Sequence, residues 1–170
     1  MTAISLILVL LGGLNIIHDD FKRRWISLAG IISVFAGSIL LKSGEIGGVI
    51  SAFIGNIVFL TILMAILHLY FYIKTGKRQK LFNRHIGTGD LLVMIALCSC
   101  YGLFNYVVFL VCACIAALGM WFVFNFLLKK SLIRIPLAGV MVAIHLVVLV
   151  TTIFLYPLNL LSDPAYITNL

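Results

Sequence analysis

Acidic side chains are what this sequence has least of: five in 170 residues, Asp19, Asp20, Glu45, Asp90 and Asp163. Charged residues of both signs reach only 10%, where a soluble domain carries about 25%. Such a chain has no means of covering a water-facing surface, which excludes a soluble globular fold. Met1-Thr2-Ala3-Ile4 has no basic stretch and no small-residue cleavage site follows it, so no removable signal peptide is expected. What fills the sequence instead is apolar: 64% hydrophobic residues and a mean hydropathy of +1.24. The expectation is one all-α domain over residues 1–170, embedded in a membrane. The net charge of +7 does not mark a nucleic-acid partner. Its basic residues are confined to three short clusters between apolar runs, where they read as orientation signals and contacts to anionic lipid.

A membrane span needs about 20 apolar residues, within a range of about 17 to 25. Six runs qualify, over about 2–19, 26–41, 46–73, 88–103, 105–128 and 135–158. The second and fourth are short, and the third is long enough to tilt or to break near Gly55-Asn56. Lys22, Arg23 and Arg24 follow the first run; Lys74, Lys77, Arg78, Lys80 and Arg84 follow the third; Lys129, Lys130 and Arg134 follow the fifth. Lys42 alone falls on the opposite side, beside Glu45. This asymmetry predicts six transmembrane helices, three cytoplasmic basic loops and both termini external, in a multi-pass protein of the plasma membrane.

Two of the rare carboxylates sit where a charge is hard to solvate. Asp90 opens the run Leu91-Leu92-Val93-Met94-Ile95-Ala96-Leu97, and Asp20 closes the run that begins Ile4-Ser5-Leu6-Ile7. An ionisable group at the edge of a span is costly and marks a candidate functional site. The predicted topology puts both at the cytoplasmic ends of their spans, at the same depth, although they are far apart in sequence. Two carboxylates sharing a site cannot both ionise readily, so one stays charged while its neighbour keeps a proton. The charged one can act as general base on water and the protonated one can polarise a scissile carbonyl. They titrate as a unit, and the sequence assigns neither role. Gly87 and Gly89 before Asp90 permit unusual backbone angles and close approach of another chain, which an extended substrate segment requires. Asp19, beside Asp20, reads as an interfacial anchor or helix cap.

Three short motifs follow one another along the chain. Asp20-Phe21-Lys22-Arg23-Arg24-Trp25-Ile26-Ser27 places a basic stretch and an isoleucine after an aspartate at a helix end. Gly87-Thr88-Gly89-Asp90-Leu91-Leu92 is a GxGD sequence followed by leucines, and Ile135-Pro136-Leu137-Ala138 opens the last run. In these motifs the chain resembles the type IV prepilin peptidases and archaeal preflagellin peptidases, which are GxGD aspartyl membrane proteases. The Asp-to-Ile spacing selects Asp20 over Asp19. The resemblance covers nearly the whole chain and implies a six-helix core with Asp20 and Asp90 as the catalytic pair. It further implies a substrate that is a pilin-like precursor, cut beside a small residue behind a short basic leader, with no cofactor and no metal. The chain departs from the pattern at Ser27, where proline is usual, and no asparagine follows. The larger bacterial enzymes carry a cytoplasmic domain with a paired-cysteine metal motif, for which there is no room here. The resemblance is therefore to the short, peptidase-only form, without N-methylation.

Other polar residues read as structural. Cys98, Cys100, Cys112 and Cys114 form two C-x-C pairs, but helical residues two apart point about 200° apart, so four thiols on two helices do not converge on a metal. His85 reads as a loop residue near Asp90, and His68 and His145 as bonded to neighbouring helices. Asn56 and Asn125 fit contacts between spans. The segment Lys74–Arg84 reads as a lipid-facing anchor or a gate beside Asp90. Two other functions fit the carboxylates: a small transporter or channel using them to relay protons or bind a cation, and an inactive assembly protein of the same fold. No inverted repeat favours a transporter.

Overall fold

The computed structural model describes residues 2–22, 25–42, 44, 46–75, 87–127 and 136–154. The regular structure in them is helical: α1 Thr2–Lys22, α2 Leu28–Leu41, α3 Ile46–Thr75, α4 Thr88–Leu97, α5 Leu103–Phe122 and α6 Leu137–Phe154. A π-helical turn, Val123–Leu127, continues α5. Three helices, Ala3–Lys22, Ile46–Lys74 and Leu103–Phe126, are long and apolar enough to cross a membrane. The outward faces fit that solvent: Ile50, Ile54, Ile62 and Ile66 lie exposed along α3.

Of the two alternatives for the third run, a break at Gly55-Asn56 is excluded, since α3 is continuous over 30 residues. One expectation is corrected. The fourth run is not one helix over 88–103, because α4 ends after 10 residues. At about 1.5 Å per residue it rises ~15 Å, half of the ~30 Å hydrocarbon thickness. The ending has a local cause. The Ser99 hydroxyl donates to the Ala96 carbonyl at 3.1 Å, in place of a helical partner. The amides of Cys98 and Cys100 bond to the carbonyls of Ile95 and Leu97, three residues back, and Gly102 is the N-cap of α5.

Such a turn leaves carbonyls without helical partners inside an apolar bundle, which is tolerated only where side chains satisfy them. Asn56, fully buried on α3, donates Nδ2 to Cys98 O at 2.8 Å and to Tyr101 O at 2.7 Å. Lys42 reaches from the end of α2 to donate to Cys100 O. Asn56 thus makes the contact between spans expected of it, and that contact secures the α4–α5 turn.

Small residues set the remaining packing. α1 and α2 form an antiparallel pair so close that a Cβ on Gly37 would lie 2.7 Å from Val9 Cγ2, and one on Gly30 2.8 Å from Ile16 Cγ1. Between apolar helices in lipid, such close approach supplies the dispersion contacts that hold them together. α6 packs against α1 in the opposite direction, Leu146 lying over Gly13. The core between α1, α4, α5 and α6 is built on Ile16, Val93, Leu97, Tyr106, Met141 and Val142.

Candidate functional site

The start of α6 is where the two aspartates meet. Pro136 precedes the helix, and its carbonyl takes the Val140 amide at 3.2 Å. A Ser, Thr, Asp or Asn in that position would satisfy one of the next free amides with its own side chain. Proline offers nothing, so the amides of Ala138 and Gly139 are open to acceptors from elsewhere. Ala138 N–H donates to Asp90 Oδ1 at 2.9 Å, and Gly139 N–H donates to Asp20 Oδ2 at 2.6 Å. Two carboxylates from two other helices therefore occupy successive amides of a third.

Each carboxylate arrives from a different electrostatic setting. Asp90 is the third residue of α4, where the helix dipole favours an anion, and its Oδ2 also accepts the Gly87 amide at 3.3 Å. Asp20 lies in the last turn of α1, the end at which its own helix disfavours negative charge. The compensation comes from the positive end of α6. Asp20 is only 8% exposed, Asp90 is half-buried, and the amides that hold them are neighbours in the chain.

The glycines of the site are places of contact. A Cβ on Gly139 would lie 3.1 Å from Asp20 Oδ2 and 3.0 Å from the Phe21 ring, so a larger residue would push the carboxylate off its amide. A Cβ on Gly87 would lie 2.8 Å from Asp90 Oδ2. At Gly89 the close approach is made by the chain's own Ile26, whose Cδ1 would stand 2.6 Å from a Cβ. The isoleucine of the first motif thus packs on the glycine of the second.

Asp19 turns to His18, with Oδ1 3.7 Å from Nδ1. His145 bonds a neighbour as expected, its Nδ1 lying 2.7 Å from the Tyr101 hydroxyl. His68 lies on the exposed face of α3, and no such bond to it is found among the described residues. Cys98 and Cys100 lie buried in the turn rather than on a helix, Cys112 and Cys114 are exposed on α5, and all four are free thiols. Among the described residues no three His, Cys, Asp or Glu side chains gather as a metal-binding set. His85, Ile135 and the segment 76–86 lie outside the described residues. A cavity of about 170 Å³ opens between α2 and α3, bounded by Phe35, Phe53, Lys42 and Ser99; neither carboxylate lines it. The site residues that sequence reasoning passed over are Ala138 and Gly139, which act through the backbone. Their signal was the proline-opened helix with two small residues behind it. Compared with models of protein families, with curated proteins and with solved structures, the chain matches none.

Proposed function

We propose that the chain is a membrane-embedded aspartyl endopeptidase of the prepilin peptidase type, which removes a short basic leader from pilin-like precursors. In this reading all six helices lie in the plasma membrane, α4 reaching about halfway through it, with both termini external. Asp20 and Asp90 then share one proton at the cytoplasmic face and activate water. The observation that carries the proposal is the convergence of two carboxylates, from α1 and α4, on successive amides of α6. Fixed carboxylates in an apolar bundle are suited to dividing one proton between base and acid. The donors around them favour this over cation transport, since a positive helix end repels a cation.

One further reading has an observation behind it. The same hydrogen bonds would cap α6 in a protein with no activity, and Ser27 departs from the active family's pattern. Substitution by asparagine separates the two, because an amide oxygen still accepts from a backbone N–H but performs no acid–base chemistry. Asp20→Asn and Asp90→Asn should each abolish cleavage of a co-expressed precursor at unchanged protein level in the membrane, with Asp19→Asn as a near-silent control. Cleavage at near wild-type rate by either variant would leave the capping reading standing.

A further inference from the structure

Tyr101 and His145 play no part in the chemistry proposed above, yet each is only 2% exposed and their polar atoms meet at 2.7 Å. The Tyr101 ring also stacks on Phe109, with centroids 4.8 Å apart. Polar pairs inside an apolar bundle need a reason, and position along the fold supplies one. His145 lies seven residues beyond Ala138 on α6, two turns or roughly 10 Å. Leu97 lies equally far beyond Asp90 on α4, and Tyr101 follows in the turn. α4 and α6 thus run side by side in one direction. Asp90 to Ala138 joins them at one end, Tyr101 to His145 at the other, and Val93, Met94, Met141 and Val142 belong to the core between.

A short apolar helix among apolar helices in lipid has no hydrophobic force to choose its axial register, which leaves the choice to side-chain packing and to polar contacts. Catalytic geometry is demanding: a displacement of about 1 Å costs on the order of a hundredfold in rate. We propose that Tyr101 and His145, with Asn56 holding the turn, are positioning residues that set the register of α4 and so keep Asp90 opposite Asp20. The activity readout of this proposal rests on the proteolytic reading; its structural readout does not.

Three full-length variants test it. Tyr101→Phe keeps the stacked ring and loses the hydroxyl, His145→Leu loses the partner, and His145→Asn keeps a polar atom near the place of Nδ1. Tyr101→Phe and His145→Leu should lower kcat at least tenfold with KM unchanged, and His145→Asn should recover most of it. Independently of activity, the Asp20→Cys/Asp90→Cys pair, with Cys112→Ser and Cys114→Ser, should form a disulfide under mild oxidation in membranes. Adding Tyr101→Phe or His145→Leu should suppress that bond, and His145→Asn should restore it, at constant protein level. Equal cross-linking with and without Tyr101→Phe overturns the proposal, even if His145→Leu fails to accumulate. Cross-linking that follows the anchor, in a protein that cleaves no precursor, upholds the anchor and overturns the protease.

Discussion

Gly139 is the residue through which the site is most exposed to a small change. Its amide holds Asp20 at 2.6 Å, and its missing side chain is what lets the carboxylate and the Phe21 ring come so near. A hydrogen bond to a charged group contributes about 1.5–3 kcal/mol, and each 1.4 kcal/mol is about tenfold in rate. Gly139→Ala should therefore reduce precursor cleavage by about 10- to 100-fold, measured as initial rate, while the protein remains in the membrane. Gly119→Ala is the matched control. It too is a helical glycine, but a Cβ there meets nothing within 4 Å, so activity should be unchanged and the helix slightly steadier. Equal losses from both variants would mean that a general effect of substitution in these helices, rather than the carboxylate contact, is being measured.

At the scale of elements, the junction between the segment after α1 and the start of α4 makes a prediction of its own. Gly89→Ala should slow turnover because its Cβ would collide with Ile26 Cδ1, tilting the first turn of α4 and Asp90 with it. Ile26→Val removes that terminal methyl, so the double variant should recover activity that Gly89→Ala loses. Absence of recovery in a cleavage assay would point back to substrate as the occupant beside Gly89. The convergence of the two aspartates was legible in the sequence because so apolar a chain has few groups capable of chemistry, and the basic clusters put both at one depth. The amides of Ala138 and Gly139 were not, since backbone donors leave no side-chain pattern; Pro136, a cap position without an acceptor, was their one trace. The end of α4 was hidden for another reason. Cys98-Ser99-Cys100-Tyr101 is as uninterrupted by charge as the run before it, and its partners Asn56 and Lys42 lie 42 and 58 residues away. Hydropathy located helices well where one apolar helix ends in charge, as α1 does at Lys22. It carried no information about which face of α3 looks outward, and so it misplaced His68.

For the whole molecule, topology and chemistry test the reading at its largest scale. Tags at both termini should be accessible from outside the cell and a probe at Arg78 only from the cytoplasm; a cytoplasmic C-terminus would contradict the proposed arrangement of the six helices. The chemical test separates hydrolysis from transport. The oxygens of Asp20 and Asp90 are held by amide donors at a positive helix end, and no third acidic, His or Cys ligand joins them among the described residues. The proposed hydrolysis asks of them only a shared proton and a water. Purified protein in detergent should therefore cleave a leader-bearing precursor at full rate in the presence of a chelator. Its rate should follow a bell in pH, because one carboxyl must be charged and the other neutral, and neither limb belongs to one residue alone. Asp90→Asn should remove the bell together with the activity, since no proton is then left to divide. A rate that collapses on chelation, or solute flux that needs a gradient and disappears in Asp20→Asn, would move the assignment to transport.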